Sequence, residues 1–315
     1  MRDLNTNTPQ QNPVQTAAEA AARELGFHEH RTPGFQEAKL IPREPVGSAS
    51  VDLSRALSLA GASGDVHAVG INLVPAGETA ALSPQAIIEQ HSRVAAAGAK
   101  IIIAARKPAP SFGTQPAFYS DAGLLRHVTP AAFNSVADGA DVGVSPLPVT
   151  DVAFGWATTP HQAARFQITR AQHRAVGGDQ LHDAVMTAIL AGIGELCDRL
   201  FLQAVLAATP VAFTMGKLAA RHAKFDEARA LIGTNGAGAE IAGDGSLRAA
   251  GVFAELTAAS TATLIGLFQR GAVALRPELD THIRRLNANG DVEVVCFATA
   301  QPVVTDAAND FWTVA

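Results

Sequence analysis

Aromatic residues are scarce. They make up 5% of the 315 residues, with a single tyrosine, so the chain has few of the side chains that usually dominate a core. The hydrophobic fraction is still 48%, much of it alanine, and stability must come from many small contacts or from partners. Cysteine is nearly absent. Cys197 and Cys296 allow neither a disulfide framework nor a zinc site, and both read as buried free thiols. Cationic excess is missing too. A net charge of −5 and a pI of about 6.0 argue against a dedicated DNA-binding module, which would carry a basic face, and leave open an oligomer with one mildly basic side. The N-terminus lacks the basic-then-apolar layout of a signal peptide, which makes a cytosolic product the default. A length of 315 residues allows one elaborate domain or two ordinary ones.

Catalytic motifs are also wanting. The glycine-rich run 233–245 has no P-loop lysine or following hydroxyl, and it is not a GxGxxG between a strand and a helix. It reads as a surface loop or tight turn. His28 and His30 sit in an HEH triplet with no further ligands nearby. His182 and Asp183 are neighbours on a helix and point in different directions, so they form no dyad. Ser145, in GVSPL, lacks the second glycine of a nucleophile elbow, and Pro146 would spoil the helix that follows. No catalytic, cofactor-binding or metal-ligating residue is assigned. Arg165, Arg170 and Arg174, with Arg199 further on, form a basic cluster that would meet phosphate or a neighbour's acidic residues, or else a solvated face.

What the sequence does contain is one long helix, Asp179–Ala208. Leu181, Val185, Ile189, Ile193, Leu196, Leu200 and Val205 recur at near-helical spacing. Asp179 is a suitable N-cap after Gly177 and Gly178, and Thr209-Pro210 ends the run. Such a rod spans about 45 Å. Asp183, Glu195, Asp198 and Arg199 make it too polar to span a membrane. Gly192 and Gly194 each cost about 1 kcal/mol relative to alanine, and they mark a possible close approach of another backbone.

The rest arranges itself around this rod. Residues 1–48 read as a polar, proline-punctuated flexible arm with a short helix over Thr16–Leu25. Residues 49–107 hold a helical candidate over Val51–Ala60 and a strand over Val66–Val74. A helix over Gln85–Ala97, capped by Ser83-Pro84, and a buried strand over Lys100–Ala105 follow, making a small strand–helix–strand unit. Residues 108–163 form a long extended loop with weak strands at Asp141–Val144 and Thr150–Phe154, and it carries Phe118, Tyr119, Phe133, Phe154 and Trp156. These aromatics either pin the loop to its own domain or touch something outside it. Ala164–Thr169 alternates as a strand. Past the long helix come a helical pattern over Lys217–Ile232, and strands at Ala249–Leu256, Thr263–Phe268 and Val273–Leu275. A hairpin of Asp280–Leu286 and Asp291–Ala300 then turns at Asn289-Gly290, before a terminal Phe311-Trp312.

This order of elements resembles the major capsid protein of tailed bacteriophages, with the Hong Kong 97-type fold: an α+β architecture with N-terminal arm, extended loop, peripheral domain with a spine helix, and axial domain. The resemblance is one of layout over about the last 200 residues. It implies that residues 164–210 form the peripheral domain with the spine helix, 211–272 the axial domain, and 273–315 strands returning to the peripheral domain. It further implies hexamers and pentamers in an icosahedral head enclosing DNA, assembled in a host cytoplasm and located in the virion capsid. Portal, scaffold or decoration proteins would be partners, DNA contact would be non-specific, and neither enzymatic activity, a cofactor nor a membrane is expected. Two other readings compete. One is an encapsulin-like compartment shell. The other is a soluble α/β enzyme with a small-molecule site near residues 75–91, including Glu78 and His91.

Overall fold

The computed structural model describes residues 46–54, 57–60, 67–69, 72–74, 79–104, 107–108, 118–119, 123–128, 130–131, 133–138, 141–156, 159–176, 178–287 and 289–314. Most of the expected arm, its helix over Thr16–Leu25, His28, His30 and Glu78 lie outside these residues. The chain enters as β1 (Val46–Asp52), β2 (Leu57–Ala60), β3 (His67–Val69), β4 (Asn72–Val74) and β5 (Thr79–Leu82). The helix expected over Val51–Ala60 is therefore absent. Val51 and Asp52 end β1, which pairs with a C-terminal strand, Leu53 and Ser54 turn, and Leu57–Ala60 form β2, which pairs with β5. The strand expected over Val66–Val74 is two short strands paired with each other.

Helix α1 (Pro84–His91) starts on a proline at its first position, and α2 (Arg93–Ala96) follows after Ser92. The single helix expected over Gln85–Ala97 is thus broken. Ser92 is extended, and its hydroxyl accepts from the Ala95 amide at 3.1 Å, starting a new helix. Gly98, at φ +112°, closes this second helix. Then come β6 (Lys100–Ile103), β7 (Lys107–Pro108), β8 (Phe118–Tyr119), β9 (Gly123–Val128), β10 (Val149–Phe154) and β11 (Gln162–Ile168). The strand–helix–strand unit does not close on itself. β6 pairs in parallel with a strand near residue 273, so the unit's last strand serves another sheet.

Helix α3 (Arg170–Val176) leads to α4 (Gly178–Ala207), a 30-residue rod. After it come α5 (Met215–Ala220), a 3-10 turn at Phe225–Glu227, β12 (Arg229–Ile232), β13 (Ala239–Ile241), β14 (Leu247–Ala249), β15 (Val252–Leu256) and β16 (Leu264–Gly266). The helix expected over Lys217–Ile232 therefore ends early. Ala230, Leu231 and Ile232 are consecutive buried residues with a strand on each side, β15 in parallel and β16 antiparallel. A short apolar run buried on both faces mimics part of a helical stripe. The expected strand Ala249–Leu256 is likewise a hairpin turning at Ala250-Gly251, both at positive φ. The last elements are β17 (Gly271–Leu275), β18 (Glu278–Arg285), β19 (Val292–Ala298), β20 (Ala300–Val304), α6 (Ala307–Asp310) and β21 (Phe311–Thr313).

Three sheets organise the body. β1-β18-β19-β11 form a four-stranded sheet, β20-β17-β6 a three-stranded one, and β13-β14-β15-β12-β16-β21 a six-stranded one. The expected hairpin is β18–β19, with Gly290 at φ +93° in its turn. The closing Phe311-Trp312 pair sits in β21, which joins the six-stranded sheet.

Two main cores divide the molecule. The larger surrounds α4 and includes Met186, Leu190, Cys197, Phe201, Leu202 and Val205, all fully buried. The seven-residue stripe read from sequence is only part of this face. Leu181, Val185 and Leu200 sit at its half-buried margin. The rod is covered from several sides, by α1 and α2 and by the sheets, so its buried surface is wider than one stripe. Each fully buried large side chain is worth roughly 1.5–3 kcal/mol. Gly194 shows how closely α1 approaches. A Cβ there would lie 2.7 Å from the Ile88 carbonyl oxygen and 3.1 Å from His91 backbone carbon, whereas one at Gly192 would meet nothing within 4 Å. The second core lies under the six-stranded sheet, with Leu218 of α5, Ala230, Ile232, Val252, Ile265 and Trp312.

Candidate functional site

The surface that most needs explanation is the β9–β10 hairpin and its tip. The two strands pair in register from Val149 opposite Val128 to Phe154 opposite Gly123. Arg126 grips Asp151 with two bonds, Nε to Oδ1 at 2.8 Å and Nη2 to Oδ2 at 2.9 Å. That contact raises the guanidinium pKa and lowers the carboxyl pKa. At the base, Trp156 is buried with Ala104, Ala272, Ala274 and Val303. Beyond the strands, every described residue from 130 to 147 is exposed. Phe133 is 97% exposed and Leu147 80%, with Val136, Val142 and Val144 beside them. The strand expected at Asp141–Val144 has no partner strand among the described residues. Of the loop's aromatics, Trp156 holds to its own body and Phe133 does not, while Phe118 and Tyr119 lie in β8 and Phe154 in β10.

Further exposed apolar residues are scattered on and around the six-stranded sheet: Ile241 on β13 at one edge, Leu256 on β15, and Val211 and Met215 beside β21 at the other edge. Phe253 is exposed too, with the Arg248 guanidinium 4.3 Å from its ring centroid and Arg229 at 5.8 Å. The glycine-rich run 233–245 forms turns around β13, with Gly236, Gly238 and Gly245 at positive φ, in line with the turn reading.

The clefts offer structural chemistry. A cleft of about 640 Å³ between α1, α4 and the loop after β15 is lined by His91, Arg93, Glu195, Asp198, Arg199 and Thr257. Its buried carboxylate, Asp198, is fully engaged. Oδ1 accepts from Ser92 Oγ at 2.6 Å and the Val94 amide at 3.0 Å, and Oδ2 from the Arg93 amide at 2.8 Å. Burial pushes this carboxyl up, and those bonds pull against it. Asp198 therefore caps α2 from across the fold. A smaller apolar groove of about 280 Å³ opens between edge strand β11 and α4, lined by Ala164, Phe166, Ile193, Leu279 and Cys296 among others.

The residues singled out by sequence do not converge. Ser145 is exposed on the loop tip. His182 is buried, its ring 5.7 Å from that of His173. Asp183 is buried, and its carbonyl accepts from Thr187 Oγ1 at 2.8 Å. Arg165 bonds the carboxylate of Glu293, which Arg284 shares from the other side. Burial pushes Glu293 up, and the two guanidiniums outweigh it, holding its carboxyl below the usual range. Arg170 donates its backbone amide to Asp291 at 2.9 Å, and Arg199 reaches Gln162 at 3.3 Å. Cys197 and Cys296 are buried free thiols, pushed by burial to about 12 and about 11. Among the described residues, no group of three or more His, Cys, Asp or Glu side chains is placed to hold a metal ion. No helix among them is long and apolar enough to cross a membrane.

Sequence reading missed three buried carboxylates: Asp198, Glu293 and Asp310. The last accepts from Arg221 Nε at 2.8 Å and Arg270 Nη1 at 3.0 Å, fixing the turn into β21. The available signal was an acid embedded in an apolar run, as in GDVEVVCF and NDFW.

No protein-family model matches the chain, and no curated protein matches it. Solved structures do. The capsid of an empty GTA particle is 9% identical, with 79% of this chain and 94% of that chain covered at a TM-score of 0.44. The mature capsid of bacteriophage PhiM1 is 9% identical, covering 79% and 92% at 0.43. The procapsid of satellite phage P4 is 11% identical, covering 72% and 95% at 0.39. These three are capsid structures, each at very low identity and modest superposition.

Proposed function

We propose that this chain is a structural shell protein, the major capsid protein of a phage head, assembling into hexamers and pentamers that enclose DNA. One observation carries the reading: the β9–β10 hairpin ends in a tip whose described residues are all exposed, with Phe133, Val142, Val144 and Leu147 at 66% exposure or more. Four such side chains would gain about 6–12 kcal/mol if covered, at roughly 1.5–3 kcal/mol each. A monomer gains nothing from holding them out on a paired hairpin. A symmetric assembly gains from it at every copy.

In this reading the body around α4 is the peripheral domain, and the six-stranded sheet with α5 is the axial domain. The exposed Ile241, Phe253 and Leu256 of that sheet then meet the neighbouring copies around a symmetry axis. The alternative of a small-molecule enzyme near residues 75–91 finds little support. His91 lines a cleft whose buried acid is committed to capping α2.

The test is assembly itself. Purified chain imaged by negative stain should form closed shells. Phe133→Ser with Leu147→Ser should leave the folded subunit intact and abolish the shells. Shells forming normally with both substitutions would defeat the reading.

A further inference from the structure

We propose that Asn235 is a site of covalent self-modification. The Gly236 amide nitrogen closes on the Asn235 side chain, ammonia leaves, and water turns the ring into aspartate or isoaspartate. The proposal goes beyond the shell reading and does not depend on it.

The glycine-rich run holds two turns built alike. In the first, Asn235 Oδ1 accepts from the Ala237 amide at 3.0 Å, and the Gly236 amide donates to the Gly233 carbonyl at 3.0 Å. In the second, Asp244 Oδ1 accepts from the Ser246 amide at 2.9 Å, and the Gly245 amide donates to the Ala242 carbonyl at 2.8 Å. Asn235 and Asp244 are both exposed, and each precedes an exposed glycine at positive φ, +65° for Gly236 and +81° for Gly245. An added Cβ would meet nothing within 4 Å at either glycine. The bond to the second following amide folds each side-chain carbonyl back over its own backbone. A five-membered ring needs that fold, and glycine has no side chain to obstruct its closure.

The two turns differ in the group that must leave. At Asn235 the Gly236 nitrogen gives its proton to hydroxide and attacks Cγ. A C–N bond forms, the Cγ–Nδ2 bond breaks, and the departing nitrogen takes up a proton from water and leaves as ammonia. Water then opens the succinimide. Opening at the side-chain carbonyl gives aspartate, and opening at the backbone carbonyl gives isoaspartate. The balance is one amide and one water in, one acid and one ammonia out. At Asp244 the leaving group would be an oxide from a carboxylate. The Ser246 hydroxyl and amide hold that carboxyl below the usual range, so it stays ionised and inert in neutral and alkaline solution. One obstacle stands at Asn235, because the Gly236 amide must first release the Gly233 carbonyl. That bond lies in an exposed turn, where local opening costs little.

The other described asparagines are less well placed. Asn72, Asn134, Asn287 and Asn309 precede Leu73, Ser135, Ala288 and Asp310, each with a side chain on the attacking residue. Asn287 is also clamped on Asp291, and Asn309 donates to Asp306 at 2.8 Å. Asn289, before Gly290, lies outside the described residues. The change at Asn235 adds one negative charge. Its isoaspartate form also lengthens the backbone of a turn stitched to the loop after β15, where the Thr234 amide donates to Ser260 and the Asn235 amide to Thr261, both at 3.0 Å. The turn should therefore loosen as the chain ages.

The test is peptide mapping. Full-length chain is kept dilute and unassembled, incubated warm at mildly alkaline pH, and digested with trypsin. Cleavage after Arg229 and Arg248 gives one peptide that holds Asn235 as its sole asparagine, together with Asp244. Mass spectrometry with fragmentation should show amide-to-acid exchange at Asn235, in both isomers and faster as pH rises. It should run ~10-fold or more ahead of Asn134, of Asn287 and of isomerisation at Asp244, a barrier difference of about 1.4 kcal/mol. Gly236→Ala should slow it by a similar factor, with circular dichroism confirming the fold; Ala250 shows that this chain accommodates alanine at positive φ. An Asn235 that keeps its amide in the folded chain would overturn the inference. So would Asn134 or Asp244 changing at the same rate, or Gly236→Ala leaving the rate unaltered.

Discussion

Two glycines two residues apart on one helix provide a sharp test of how the fold is packed. At Gly194 an added Cβ would stand 2.7 Å from the Ile88 carbonyl oxygen and 3.1 Å from both the His91 carbonyl carbon and its Cβ. Two of these three atoms are backbone, so α1 itself would have to move by several tenths of an ångström. Overpacking of this kind costs about 1–3 kcal/mol. Replacing a helical glycine by alanine returns about 1 kcal/mol through propensity. Gly194→Ala should therefore be neutral to about 2 kcal/mol less stable. At Gly192 nothing lies within 4 Å of the added carbon, so Gly192→Ala should gain about 0.5–1 kcal/mol. Equilibrium urea unfolding at low protein concentration, before assembly couples to folding, reads both. Trp156 and Trp312, both buried, serve as the fluorophores. If Gly194→Ala were as stable as Gly192→Ala, the close crossing of α1 over α4 would be wrong.

Other consequences follow from the buried acids and thiols. Asp198→Ala strips the acceptor from Ser92 and from two amides, and should cost about 2–4 kcal/mol in the same unfolding assay, since several buried donors lose their partner. Glu293 and Asp198 should show opposite pH dependence. The Glu293 carboxyl is held below the usual range, so its contribution is complete above that range and is lost as pH falls through the folded value; the stability gap between wild type and Glu293→Gln should shrink on acidification. The Asp198 carboxyl is held above the usual range, so its ionisation opposes folding as pH rises through that window, and Asp198→Asn should flatten the profile there. Cys197 and Cys296, pushed to about 12 and 11, should resist thiol reagents at pH 8 in the folded chain and react fully in denaturant.

The long helix and the terminal hairpin were legible because their signals are local. A 30-residue apolar period needs no knowledge of what covers it, and Gly290, at a positive φ, marked the hairpin's turn, which is closed by Asn287 on Asp291, while Asn289 of the expected Asn289-Gly290 pair lies outside the described residues. Lys217–Ile232 was misread because Ala230–Ile232 is buried by strands far away in sequence, which a helical period cannot register. Val51–Ala60 holds no helix because Val51 and Asp52 pair with a strand more than two hundred residues later and Leu57–Ala60 pair with β5, neither of which a helical period can register. The basic cluster was visible, but Glu293, which bonds both Arg165 and Arg284, is brought there only by sheet register. Gly194 was flagged as a point of close approach, though only the fold says that α1 is what approaches.

The exposed tip of the β9–β10 hairpin is the centre of the functional reading, and one image tests it. Full-length chain, concentrated at near-physiological salt and viewed by negative-stain microscopy, should give closed shells of uniform size. A chain that elutes as a monomer across a wide range of concentration and salt, with Phe133 and Leu147 still open to solvent, would contradict it.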